Sequence, residues 1–499
     1  MFEAAEVGRS LTKKEFDDLE PELHHTLLLL QQQLRQTRHS LIILVSGNER
    51  AGKGDLVVRL NRWFDNRDVQ TCSYWEESDE EKQRPPMWRF WRDMPARGKI
   101  CIMFGSWYTQ PIGDAVSGSI NMAELDQQLA RIRDFERALT ADDVIIAKLW
   151  FHISRTEQQR RLEQDDSHGL IKRTPQSQDF AQYQDQLTSI SEHVVRLTDS
   201  GVAPWHIIEA TDYRYRDFTV GNTIVSRMEP VLNTNNEKQG IDVPVFPGPN
   251  LRELQAKKSV NATVLDRVDL EQKLEGKDYS EHLGKLQKKL NQLAWLMHNK
   301  KRNAVLVFEG WDAAGKGSAL RRITSAIDSR LYQVIPTAAP TDEEKAHHYL
   351  WRFWRHLPRA GRLIMYDRSW YGRVLVERVE ALAREEEWRR AYAEINSFED
   401  QLLEHGMMLC KFWIHISKDE QIKRFRDREK DIRKQHKITE EDWRNRQKWD
   451  DYKLAVNDMV AHTSTTRAPW TLVAGNDKKF ARVQILTTVC NGLETVLGK

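Results

Sequence analysis

Apolar residues in the second half of the chain follow two different periods. Between positions 279 and 299 they recur at Leu283, Leu286, Leu290, Leu293 and Leu296, the spacing of a helix with one buried face. Elsewhere they form short, mostly apolar runs, at 304–308, 363–366, 408–416 and 470–474, which predict strands buried on both faces. A helix is expected over 318–327, and helical patterns separate the runs. Strands alternating with helices imply an α/β fold with a mostly parallel sheet covered on both sides. The first half repeats this order, with strands expected at 41–46, 100–104, 147–153 and 205–210.

The repetition extends to the residues themselves. Gly52-Lys53-Gly54 recurs as Gly315-Lys316-Gly317, Trp88-Arg89-Phe90-Trp91-Arg92 as Trp351-Arg352-Phe353-Trp354-Arg355, and Ser106-Trp107-Tyr108 as Ser369-Trp370-Tyr371, each 263 positions on. From 47 to 108 the register needs no gap, and 23 of 62 positions are identical. It resumes where Lys148-Leu-Trp-Phe-His-Ile-Ser154 matches Lys411-Phe-Trp-Ile-His-Ile-Ser417. A repeat this long is a whole domain, duplicated and fused. A polar stretch at 233–240 and a Pro-rich one at 243–250 mark the join. The expected division is a domain at 1–240, a linker at 241–250 and a domain at 251–499. The two halves would pair as an internal pseudo-dimer, with further homo-oligomerisation left open.

Composition narrows the partners. The 76 Lys and Arg nearly balance the 74 Asp and Glu, so no global positive field exists to collect nucleic acid. Anions must be bound by local patches. The four cysteines, Cys72, Cys101, Cys410 and Cys490, have no zinc spacing and are too few for a disulfide framework. The acidic start lacks the features of a signal peptide. The longest apolar stretches, such as 27–30 and 41–45, fall far short of the roughly 20 residues a bilayer requires. The expectation is a cytoplasmic protein with no membrane partner.

Two motifs carry chemistry. Gly310-Trp-Asp-Ala-Ala-Gly315-Lys316-Gly317 follows a strand and opens a helix, the context in which backbone N–H groups and a lysine cradle phosphate. Gly310, Ala314, Gly315, Gly317 and Ser318 are the expected phosphate and nucleotide contacts. Such loops usually place Ser or Thr after the lysine to hold Mg²⁺; Gly317 stands there, so Asp312 becomes the nearest candidate. Asp367, at the end of the strand at 363–366, is the second candidate, because ligands gather at that edge of an open sheet. Arg368 and Arg373 would neutralise charge developing on a transferred phosphoryl group.

These motifs, with Leu350-Trp-Arg-Phe-Trp354, Asp367-Arg-Ser-Trp-Tyr-Gly-Arg373, Val376-Glu377-Arg378-Val379 and Lys411-Phe-Trp-Ile-His-Ile-Ser417, resemble the polyphosphate kinase 2 family over most of 275–485. The resemblance implies a thymidylate-kinase-like P-loop fold with a helical lid, and Mg²⁺-dependent phosphoryl transfer between inorganic polyphosphate and a nucleotide. The tandem layout resembles the class that makes ADP from AMP. The family's loop lysine falls on Lys316, its metal-binding and catalytic aspartates on Asp312 and Asp367, and its motif arginines on Arg368 and Arg373; Glu377 joins the binding residues. Acceptors such as ADP, or ATP as donor, are the alternatives.

The first half departs from this pattern. Glu49 replaces Asp312, Phe104-Gly105 replaces Asp367-Arg368, and Gln110 replaces Arg373. The first domain is therefore expected to be non-catalytic. Nine Lys and Arg against five acids between Lys418 and Lys437 suggest a lid that closes over a polyanion. Trp351 and Trp354 are expected in the core. Asn476-Asp477-Lys478-Lys479, after the last strand, is placed to touch a nucleotide.

Overall fold

The computed structural model describes residues 1–166, 180–233, 263–432, 435 and 438–498. The expected linker and parts of the basic 418–437 window lie outside the described residues. Residues 1–77, 89–166, 180–233 and 342–351 form one compact unit; residues 78–88, 263–341, 352–432, 435 and 438–498 form a second. Each unit therefore includes a short segment from the other repeat.

Unit 1 contains β1 (Ser40–Gly47), β2 (Val69–Ser73), β3 (Ile100–Phe104), β4 (Val144–His152) and β5 (Trp205–Glu209). They form a wholly parallel sheet in the order β2-β3-β1-β4-β5. Unit 2 contains β6 (Ala304–Gly310), β7 (Tyr332–Pro336), β8 (Leu363–Asp367), β9 (Met408–His415) and β10 (Trp470–Ala474), in the equivalent order β7-β8-β6-β9-β10. Helices pack around each sheet. Among the described residues no helix is long and apolar enough to cross a membrane.

The central strands are where the apolar runs placed them, because a strand buried on both faces has no polar positions to alternate with. β2 and β7 escape that signal. They are edge strands, mostly exposed, and β7 ends on Pro336, whose missing N–H an edge tolerates. Trp351 and Trp354 are buried as expected. Register brings Phe308 beside both Asp367 and Phe412, and Gly310 beside Ile414. The carboxyl ends of β6, β8 and β9 thus meet where β6 runs into the glycine-rich loop.

A buried ion pair fixes the turn that follows β8. Lys411 is fully buried, and its Nζ donates to Glu399 (2.7 Å), the Thr463 carbonyl (2.7 Å) and Tyr371 Oη (3.0 Å). Glu399 also accepts from Tyr371 (2.6 Å) and Trp370 Nε1 (3.0 Å). Burial pushes the Glu399 carboxyl up and the Lys411 ammonium down. Lys148, Glu136, Tyr108, Trp107 and Thr198 build the same network in unit 1, with Lys148 to Glu136 again 2.7 Å. A network kept where the site residues are changed serves the fold: it holds the Ser-Trp-Tyr turn on which Arg368 and Arg373 ride. Replacing Lys411 by Met should cost about 3–5 kcal/mol, since it strands a buried carboxylate. Adding Glu399→Leu should restore part of that loss in chemical denaturation.

Candidate functional site

The loop between β6 and the helix Lys316–Thr324 turns through left-handed backbone at Gly310 (φ 148°), Ala313 (φ 62°) and Gly315 (φ 118°). A side chain at Gly310 would stand 2.6 Å from the Ile414 carbonyl, so glycine is required there. Lys316 lies back over its own loop, its Nζ donating to the Gly310 carbonyl at 2.6 Å. The loop's carbonyls are claimed from outside. Arg424, only 4% exposed, donates to Ala313 O (3.1 Å), Ala314 O (2.8 Å), Gly475 O (2.7 Å) and Asn476 O (2.9 Å). One arginine of the expected polyanion lid is thus spent on backbone. The partners are fixed carbonyls, which no pattern of residue types announces.

Two acidic groups and an arginine gather above the loop. Asp312 Oδ1 accepts from Arg368 Nη2 (3.3 Å) and Oδ2 from Asn445 Nδ2 (2.9 Å). Arg368 follows Asp367 directly, donates its backbone N–H to Phe308 O (3.1 Å), and holds a left-handed φ of 62°. Burial alone would weaken its charge, but Asp312, Glu309, Glu441 and Asp367 together keep its pKa above the usual arginine value. Such a φ costs a residue with a side chain about 1–2 kcal/mol. The strain turns a guanidinium towards the loop.

Glu309 is a site residue the sequence reading missed. It sits in β6, buried, and accepts from Ser369 N and Ser369 Oγ, both at 2.8 Å. Burial raises its carboxyl, while Lys316, Ser369 and Arg368 act against that rise. Its signal lay in the repeat: Ser46 stands there in unit 1, facing Ser106 at 3.3 Å.

Other expected residues have separate partners. Arg373 is tied to Glu377 (3.3 Å) and Glu387 (3.9 Å), a cluster of its own. The Ser318 hydroxyl accepts twice from Arg482, at 2.9 and 2.7 Å. Asn476 accepts from Ser417 N (3.0 Å), and Asp477 caps the last helix through Phe480 N (2.6 Å). Both side chains therefore support the backbone.

Trp311 pins the loop to its surroundings. It stacks on Trp449 with ring centroids 3.7 Å apart and planes 8° from parallel, and its Nε1 donates to His415 Nδ1 at 2.9 Å. Burial pushes the His415 imidazole down to about 4. A proton on Nδ1 would set donor against donor. The unfolded imidazole binds its proton near pH 6.5, so this stability is complete above that value and is lost as pH falls towards about 4. His415→Asn should flatten that acid-side loss in pH-dependent unfolding.

Unit 1 keeps the loop and loses the charges. Lys53 Nζ meets Gly47 O at 2.6 Å, as Lys316 meets Gly310. Arg161 holds the carbonyls of Arg50 (2.9 Å) and Thr211 (2.8 Å), as Arg424 does in unit 2. Burial lowers Lys53 to about 8, against the opposing charge of Glu49. Asp55 occupies the first turn of the following helix, whereas the helix Lys316–Thr324 has no acid there. Gly105 takes the left-handed position of Arg368 (φ 82°), and Gln110 binds Asp114 (3.2 Å) where Arg373 binds Glu377. Arg368→Gly should therefore leave the melting temperature within about 3 °C, strain relief offsetting lost contacts. Turnover should fall roughly 10²-fold or more. Calorimetry and a steady-state assay on one preparation separate the two effects.

Comparison with known proteins agrees with this geometry. The polyphosphate kinase 2 (PPK2) family model matches residues 10–236 and again 273–497. A protein of Pseudomonas aeruginosa named polyphosphate:AMP phosphotransferase is 44% identical over the full length of both chains. One of the same name from Acinetobacter johnsonii is 37% identical over 95% of this chain and 96% of its own. A crystal structure of a Pseudomonas aeruginosa protein described as a polyphosphate kinase 2 superposes with a TM-score of 0.89 at 44% identity, covering all of both chains. With both repeats matched and the loop, strand end and buried pair laid out alike in each, this chain belongs to the polyphosphate kinase 2 family.

Proposed function

We propose that this chain transfers a phosphoryl group from inorganic polyphosphate to AMP, giving ADP and a shorter polymer, and that unit 2 does the chemistry. The observation that supports the second point is the pairing of Arg368 with Asp312 inside the Lys316 loop, with Asp367 ending the strand beside it, against Glu49, Gly105 and Phe104 in unit 1. The acceptor is a phosphate oxygen, largely ionised at neutral pH, so no strong base is needed. Catalysis reduces to alignment and charge neutralisation. Lys316 would leave its own loop carbonyl to meet a phosphate, with the loop N–H groups beside it. Arg368 supplies positive charge next to the transferred group. Arg373, held by Glu377 and Glu387, would have to leave that cluster to add its charge.

The acid set suits magnesium. Among the described residues no three His, Cys, Asp or Glu gather as a metal cage. Magnesium, however, is usually held by one or two carboxylates plus substrate phosphates. Asp312 and Asp367 would hold the ion, and its charge would offset that on the phosphate oxygens.

With Mg²⁺, AMP and long-chain polyphosphate, the protein should form ADP; with ATP as sole donor it should form far less. An ATP rate equal to the polyphosphate rate would refute the donor. Asp367→Asn and Lys316→Ala should each cut turnover by about 10²–10³. Lys53→Ala should leave it within about twofold; the division of labour is wrong if Lys53→Ala abolishes turnover and Lys316→Ala does not.

A further inference from the structure

Asp312 is the acid the mechanism needs in one orientation, and the side chain fixing its second oxygen comes from 133 residues away. Asn445 lies on the helix Glu440–Gln447. Its Nδ2 donates to Asp312 Oδ2 at 2.9 Å, while its own Oδ1 accepts from Tyr452 Oη at 3.3 Å. The carboxylate decides which end of the amide faces it, because an ionised carboxylate only accepts and so must meet the NH2; the Tyr452 hydroxyl then donates to the oxygen left on the other side.

The neighbours of Asn445 hold it in place. Arg446 donates to the Lys418 carbonyl (2.7 Å) and to Gln421 Oε1 (3.0 Å), and Gln421 Nε2 donates to the Asp312 carbonyl (3.2 Å). Lys448 pairs with Glu380 at 2.9 Å, and Trp449 stacks on Trp311, the residue before Asp312. The chain just after Asn445 is thus fastened to the loop that carries Asp312, through Gln421 and through Trp311.

The residue type matters. A lysine or arginine at 445 would compete with a bound cation for the carboxylate. An acid would repel Asp312, which already bears on nearby Asp442. A neutral amide fixes the carboxylate through one hydrogen bond and leaves its charge unspent. An ionised carboxylate has about four lone-pair sites; Asn445 and Arg368 occupy one each, on different oxygens. The remaining sites are open to a hard cation.

We infer that Asn445 is a positioning residue that presents Asp312 to the metal and couples the seating of the helix Glu440–Gln447 to the orientation of that carboxylate. The inference rests on Asp312 being a metal carboxylate, as proposed above. Groups that orient a metal ligand typically contribute 10–100-fold to metal affinity or activity.

The test is Mn²⁺ binding to the full chain, read by electron paramagnetic resonance, alongside the Mg²⁺ dependence of turnover. Asn445→Ala should weaken Mn²⁺ binding 10–100-fold and raise the half-saturating Mg²⁺ by a similar factor, with the KM for AMP within about twofold. Tyr452→Phe, which removes the anchor on the amide oxygen, should show a smaller shift in the same direction, and Asn445→Ser, a shorter donor, should recover part of the loss. Melting temperatures within about 3 °C of the parent would set misfolding aside; for a variant outside that range, Tyr452→Phe carries the test. Unchanged Mn²⁺ affinity in Asn445→Ala with reduced turnover would overturn the inference, leaving a structural role in the lid. Asp312→Asn is the separate control: if it too leaves Mn²⁺ binding intact, the metal assignment itself fails.

Discussion

A loop that binds phosphate must show its amide hydrogens and hide its carbonyl oxygens, since each exposed oxygen repels the ligand. In both units an arginine meets that requirement, Arg424 buried and Arg161 partly exposed. Arg424 takes the carbonyls of Ala313 and Ala314, and Arg161 takes that of Arg50, while each also grips the chain leaving the last strand of its sheet. The loop's outward face is satisfied before any ligand arrives. The loop backbone therefore need not reorganise around a ligand, Lys316 alone having to swing away from Gly310, and a fixed backbone is the condition for electrostatic stabilisation to be effective.

The duplication separates scaffold from chemistry inside one molecule. The sheet order, the carbonyl-gripping arginine, the lysine folded over its loop and the buried Lys-Glu-Tyr-Trp network are common to both units. Asp312, Asp367, Arg368, Arg373 and Glu309 are confined to unit 2. The shared set is what a parallel sheet and its loop need in order to form. The confined set is charged, clustered, and placed in strained or buried positions that the fold alone would not choose.

Much of this was legible from residue order because central strands and the loop impose strong patterns. β6, β8 and β9 are mostly apolar runs, and Gly310 must be glycine under Ile414. What escaped depends on three-dimensional partners. β7 is half-wet and alternates poorly. Glu309 hides at the end of an apolar run. Arg424 serves backbone groups and looks like one more cation on a charged helix. Asn445 reaches Asp312 across most of the domain's sequence, and nothing in the composition of its helix marks it. The assignment of 78–88 to unit 2 and 342–351 to unit 1 is equally invisible, because a segment's own sequence does not say which unit it joins.

The left-handed turn after β3 and β8 also bears on how such a protein can change over generations. At Gly105 the backbone is relaxed, and a Cβ there would press on the Tyr74 carbonyl at 2.9 Å. Putting arginine at that site means accepting unfavourable torsion and shifting a neighbour before any benefit accrues, because Phe104 supplies no acid beside it. No single step is rewarded. Unit 1 is thereby held by a ratchet at this turn: drift is free in one direction, and return demands several simultaneous changes.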